Sequence, residues 1–179
     1  MKPGGMHWGA LVFTGLLAAA ALLVFGRFLT APFPTLVSEG DEPSEPSPTL
    51  DMRTPLAPEL HSHWYTQSAV DPIAVGESAD VTVQFVNTGH VAWIRGTPSE
   101  IRLGEIGDTP LPLAMKVDWP LPDRPAIQTE SIVYEDQTAT FTFRVAGTAP
   151  GTYRVRVRPV VDGVAWLEDD GVYVDIVVR

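Results

Sequence analysis

The chain of 179 residues carries 22 acidic and 12 basic side chains, 17 prolines, 15 glycines and no cysteine. The missing cysteine excludes a disulfide scaffold, a thiolate zinc site, a cysteine nucleophile and a lipoprotein anchor. A net charge of −10 argues against a nucleic-acid partner, because phosphate binding needs a basic surface, and the length fits one domain plus an appendage.

Charge divides the chain into three regions. Residues 1–29 carry a net charge of +2, residues 30–59 a net of −5 and residues 60–179 a net of −7. In the first region no residue from Trp8 to Gly26 is charged. Nineteen helical residues span roughly 28 Å, close to the hydrocarbon thickness of a bilayer. A cleaved signal peptide and a buried soluble helix are the alternatives. The apolar core runs into Arg27, Phe28, Leu29, Thr30, Ala31 and Pro32, a poor cleavage context. Residues 1–29 therefore read as an uncleaved anchor that meets the lipid bilayer through residues 8–29. Lys2 and the terminal amine favour an N-terminus inside the cytoplasmic membrane and a single pass, with the C-terminal domain outside.

Residues 30–59 read as an acidic, proline-rich linker. Seven prolines lie between residues 31 and 58, and Ser38 to Ser47 is mostly acidic or polar. Such a stretch cannot bury a core. Proline and like charge extend it, to roughly 85 Å at about 3.1 Å per residue.

Residues 60–179 read as antiparallel sheet. Val81, Val83 and Phe85 alternate with polar residues, and Asn87-Thr88-Gly89 makes a turn. Short strands follow at 91–95 and around Ile101 and Leu103. Longer alternating runs cover 138–145, 153–158 and 172–178, and His61 to Val70 supplies a first strand. This pattern predicts an all-β, immunoglobulin-like antiparallel sandwich. Trp93 is the expected core tryptophan, and Tyr153, just after Ala149-Pro150-Gly151-Thr152, the expected tyrosine corner.

Several strings carry a family resemblance: Asn87-Thr88-Gly89 with Trp93, then Arg102-Leu103-Gly104, Trp119-Pro120-Leu121-Pro122-Asp123-Arg124-Pro125, Pro150-Gly151-Thr152-Tyr153, Asp162-Gly163-Val164-Ala165-Trp166 and Asp170-Gly171-Val172-Tyr173. Together they resemble a bacterial Ig-like module similar to the central four-tryptophan domain of the Next-to-breast-cancer-gene-one autophagy receptor. The resemblance covers about residues 62–178. It implies a module of the kind that bacteria often append to cell-wall hydrolases and other surface proteins. Glu135-Asp136 replaces the usual Pro-Gly before the fifth strand, and only Trp93 matches a receptor tryptophan, with Phe85 and Val157 near two other positions.

Chemistry-bearing residues are sparse. His61 and His63 fall on one side of a strand, but two ligands and His90 in a turn are too few for a metal. Glu168-Asp169-Asp170 reads as a solvated hairpin tip rather than a calcium site. No nucleophile elbow, P-loop or dinucleotide motif is present. The expectation is no enzyme and no cofactor. Trp64, Tyr65, Trp119 and Trp166 lie in loops and edges, as aromatic contacts or as covers for the ends of the sandwich. The segment from Gly104 to Ser131 is long for a connection and reads as a functional loop or a lid. If the strands of Trp93, Tyr153 and Val174 lie side by side, Ile94, Arg154, Arg156, Arg158, Tyr173 and Val177 turn outward as a partner-binding face. The alternative is ordinary cross-strand pairing of arginine with Asp175. The expected function is a membrane-tethered protein-interaction module, an accessory or scaffold subunit of a membrane or surface complex. The competing reading is a cell-envelope glycan-binding module.

Overall fold

The computed structural model describes Leu50 and residues 52–179. The expected anchor and most of the linker lie outside the described residues. The described part begins upstream of residue 60. Pro55 is buried, a 3-10 turn spans Ala57–Glu59, and the Glu59 carboxylate accepts both the Arg53 guanidinium at 2.8 Å and the Leu56 N–H at 2.7 Å. Those bonds, led by the one from Arg53, hold the Glu59 carboxyl at a pKa of about 2.

Eleven strands follow among the described residues: β1 (Ser62–Gln67), β2 (Ser78–Asn87), β3 (Trp93–Ile94), β4 (Arg102–Ile106), β5 (Lys116–Val117), β6 (Ala126–Ile127), β7 (Ile132–Val133), β8 (Thr138–Ala146), β9 (Gly151–Val161), β10 (Ala165–Trp166) and β11 (Tyr173–Val178). One sheet has the order β1-β2-β8-β5. In the other, β9 pairs with β10 and β11 along one edge and with β4 along the other, and β6 lies beyond β4. All the strand pairs are antiparallel. These orders match the two sheets of an immunoglobulin-like sandwich. One departure stands out: after β4 the chain crosses to the first sheet as β5, then returns to the second as β6, before β8.

Alternation explains the layers. Val81, Val83 and Phe85 of β2 and Ala139, Phe141, Phe143 and Val145 of β8 point inward and are buried. They meet Leu103, Val155, Val157, Val174 and Ile176 of the other sheet in a single cluster. Phe85 and Phe141 meet edge to face with centroids 6.2 Å apart. Trp93 is fully buried, as expected, although its indole N–H meets no acceptor among the described residues. The Tyr153 hydroxyl donates to the Ala149 carbonyl at 3.1 Å, closing the expected tyrosine corner.

The strand of Trp93 departs from expectation. It is two residues long and pairs with β7, not with β9. Ile94 is only 7 % exposed, because the turn through Ser99 folds back on it: Ser99 Oγ accepts the Ile94 N–H at 3.3 Å and Thr97 Oγ1 donates to the Ile94 carbonyl at 2.7 Å. Both faces of β3 are therefore inside, and alternation cannot turn either residue outward.

Two buried amides bind β3 and β7 to the sheets. Asn87 donates to the carbonyls of Val91 at 3.0 Å and Val133 at 3.1 Å and accepts the Gly89 N–H at 3.0 Å. Gln128 donates to the carbonyls of Trp93 at 3.1 Å and Glu130 at 3.0 Å and accepts the Ile101 N–H at 3.2 Å. Gly89 is required for a different reason: a Cβ there would overlap the Glu59 carbonyl and crowd the His61 N–H at 2.7 Å. Asp136 has φ +63°, a conformation that aspartate tolerates better than most residues. Leaving a buried donor or acceptor unpaired costs about 1–3 kcal/mol. Asn87→Ala removes the bonds to the Val91 and Val133 carbonyls and to the Gly89 N–H, so chemical denaturation should show a loss on the order of 3 kcal/mol. A loss below about 1 kcal/mol would mean the amide is dispensable.

Candidate functional site

Three surface regions hold the residues singled out in the sequence. The first is the outer face of the β9 sheet. Register places Tyr173 and Ile106 opposite Arg156, Asp175 opposite Arg154, Gly104 opposite Arg158, and Val177 opposite Thr152. Opposed residues in an antiparallel pair share a face. Arg154, Arg156, Arg158, Tyr173 and Val177 thus do gather on one face, whereas Ile94 does not. The strand beside β9 is β4, which brings Ile106 and Gly104 in its stead.

Trp166 joins this face as well. It lies opposite Val160 on β9, and its ring rests on Gly104, where even a Cβ would collide with it. The Arg124 guanidinium sits 5.0 Å from the ring centroid. The indole is still 41 % exposed, and Tyr173 is 44 % exposed. The glycine of Arg102-Leu103-Gly104 is thereby explained as a seat for a tryptophan 62 residues downstream, a pairing that no local pattern reveals.

The arginines are not free cations. Arg154 makes a two-pronged pair with Asp175 at 2.7 and 2.8 Å, and its guanidinium lies 3.8 Å over the Tyr173 ring. The bond from Arg154 holds the Asp175 carboxyl below its usual range. Arg156 approaches Asp169 at 3.6 Å. Arg158 donates to the Leu167 carbonyl, and Arg124 and Arg102 share Asp162 at 2.8 and 3.1 Å. The cross-strand pairing with Asp175 and the exposed aromatic face are both present.

The second region is the segment 104–131, which forms an ordered cover. Leu111 and Met115 are buried. Lys116 and Glu105 form an ion pair with both side chains almost wholly buried. Glu105 also accepts the Leu111 N–H at 2.7 Å, and Lys116 donates to the Pro122 carbonyl at 2.7 Å. Trp119 stacks edge-on against Phe143 at 5.6 Å and donates its indole N–H to the Arg144 carbonyl at 2.9 Å. Trp119 is therefore a peg of the cover, with its one polar group committed inside the domain.

The third region is the seam between β1 and the segment before β11. Glu168-Asp169-Asp170 is not a solvated tip. The outward N–H groups of edge strand β1 need acceptors, and these carboxylates supply them: Glu168 accepts from Ser62 at 2.7 Å and Asp170 from Trp64 at 2.6 Å. The histidines complete the clasp. His61 Nδ1 lies 2.6 Å from Glu168, and His63 Nδ1 lies 3.5 Å from Asp170. His61 and His63 thus each face a carboxylate. Among the described residues no three His, Asp or Glu side chains gather as metal ligands. Trp64 is 39 % exposed, and Tyr65, the extra residue of a bulge in β1, is 61 % exposed.

The clasp has a pH window. The bond to Glu168 raises the His61 pKa above its ordinary 6.5. Partial desolvation pushes Glu168 up, but the bonds from His61 and the Ser62 N–H outweigh it and leave the carboxyl below its ordinary 4.5. A raised histidine stabilises fully below its unfolded pKa and loses the effect as pH rises through its folded value. A lowered carboxyl stabilises above its unfolded pKa and loses the effect as pH falls through its folded value. The pair therefore stabilises most between pH 4.5 and 6.5. The gap in melting temperature between the native chain and Glu168→Gln should be widest in that interval and narrow on both sides. A gap independent of pH would show that the ion pair contributes nothing.

No known family model matches the chain, and no curated protein matches it. Among solved structures, the chain is similar to the solution NMR structure of the CARDB domain of a Pyrococcus furiosus protein. The two are 17 % identical, with 67 % of this chain and 94 % of that chain covered and a TM-score of 0.40. The assignment of an immunoglobulin-like sandwich rests on this chain's own strand order.

Proposed function

We propose that this chain is a protein-interaction module held outside the cytoplasmic membrane by its N-terminal segment, serving as an accessory or scaffold subunit of a membrane or surface complex. The observation that carries the interaction reading is the outer face of β4, β9 and β11, where Tyr173 and Ile106 flank Arg156 and Trp166 lies further along the same face, over Gly104. Aromatic and arginine side chains dominate the energetics of interface centres. Here the arginines are already oriented by Asp175, Asp169 and Asp162, so less side-chain freedom remains to be lost on docking. The uncharged stretch from Trp8 to Gly26 supports the tether. Among the described residues no helix is long and apolar enough to cross a membrane. The kinship with the bacterial Ig-like module, suggested by its turn motifs, belongs to this same reading.

A photo-reactive amino acid introduced at Ile106 or Tyr173 in living cells should give an adduct of discrete mass. The same group at Thr142, on the outer face of the opposite sheet, should give none. Arg156→Glu should suppress the Tyr173 adduct while moving the melting temperature little. Equal adducts from both faces, or none from either, would remove this face as the docking surface.

Orientation has its own test. Protease added to intact cells, or to spheroplasts where an outer membrane is present, should cut within residues 30–49 and release the domain. Full protection would place the domain inside. A mature chain starting near residue 31 would show a cleaved signal rather than an anchor.

A further inference from the structure

The seam between β1 and β11 is more than a clasp. It forms a groove of about 530 Å³ bordered by Trp64, Thr66, Gln67, Asp170 and Tyr173, a volume within the range of small-ligand sites. Its two walls belong to different sheets and are fastened to each other. The Trp64 N–H donates to Asp170 Oδ2 at 2.6 Å, and Gln67 Nε2 donates to the Tyr173 carbonyl at 2.9 Å. Gly171, with φ +69°, adds no side chain between them, and Val172 beside it is buried. Trp64 and Tyr173 remain 39 % and 44 % exposed.

The groups left over have one chemical character. Two aromatic rings border the space. Asp170 Oδ1 and the carbonyl oxygen of the Gln67 amide make no hydrogen bond within the described residues. Flat apolar surfaces beside unengaged acceptors complement a ring that has a C–H face and a rim of hydroxyl donors. An added peptide strand fits less well. Adding a strand needs free backbone groups at the sheet edge, and the outward N–H groups of Ser62 and Trp64 are already taken by Glu168 and Asp170. Charge narrows the choice further. Asp170 lines the groove and the whole chain carries −10, which disfavours phosphorylated or uronic sugars, and Arg154, over the Tyr173 ring, is already paired with Asp175.

We infer that the groove between β1 and β11 binds a neutral glycan chain, with Trp64 and Tyr173 as stacking walls and Gln67 and Asp170 as hydroxyl acceptors. This site is separate from the β9 sheet face except at Tyr173, so the two are tested by different residues.

The full chain in a detergent without sugar headgroups is titrated calorimetrically with cellotetraose, chitotetraose and, as the charged control, tetragalacturonate. At least one neutral tetrasaccharide should bind with Kd below about 1 mM, and tetragalacturonate should not. Trp64→Ala should weaken binding about tenfold or more, and Gln67→Ala severalfold, each with the melting temperature checked. Arg156→Glu should leave glycan affinity unchanged. The inference is overturned if neither neutral sugar binds at about 10 mM. It is also overturned if Gln67→Ala and Trp64→Ala, both folded, bind as the native chain does, or if Arg156→Glu abolishes binding. Loss of the photo-adduct at Ile106 has no bearing on this outcome, because Ile106 lies on the sheet face and not in the groove lining.

Discussion

Asn87 and Gln128 are both fully buried, and each uses its amide in three hydrogen bonds to the backbone of the β3–β7 ribbon and the segments beside it. Crossing segments in a sandwich carry polar backbone into the space between sheets, where water cannot satisfy it. A domain with no cysteine cannot tie such segments by a covalent bridge. Here the amide side chains take that role. They fix β3 and β7, which in turn place Trp93 at the centre of the core and hold the start of β4 through Ile101. The face of β4, β9 and β11 depends on that placement, because Gly104 must lie where Trp166 can rest on it.

The outer regions follow a second rule, in which charge completes what the ladders leave open. Glu168 and Asp170 finish the free edge of β1 as a neighbouring strand would. Glu105 and Lys116 finish the long cover over Leu111 and Met115. Exposed pairs such as Arg154 with Asp175 contribute little to stability on their own. Their effect is to hold long side chains in one orientation across a broad surface.

How much of this is legible in the sequence depends on whether an element has one wet face. β2, β8, β9 and β11 alternate cleanly because each turns one side to solvent, and their positions and inward residues follow from alternation alone. The fully buried β3 gives no such signal, which is why Ile94 cannot be assigned a face from its neighbours. Gln128 sits in a proline-rich stretch and looks like any polar loop residue. The acidic run at 168–170 looks solvated until β1, 106 residues away in sequence, lies beside it. The aromatic and arginine face is legible in most of its members, since Arg154, Arg156 and Arg158 alternate with core valines. The seat of Trp166 on Gly104 is not, because it joins two strands that meet only through β9.

The clasp at β1 also sets how the domain answers to force. A pull transmitted along the chain from upstream enters at Arg53 and meets the Glu59 pair, then buried Leu60, then the bonds of Ser62 and Trp64 to Glu168 and Asp170. Those bonds cross from one sheet to the other, so the first strand cannot be peeled from β2 without also being torn from the β11 side. Tension is thereby shared between both layers at the point of attachment. Protonation of Glu168, whose carboxyl is held below its ordinary range by His61 and the Ser62 N–H, would weaken that link between the layers. A load applied along β1 would thus be carried by both sheets rather than by the β1–β2 ladder alone.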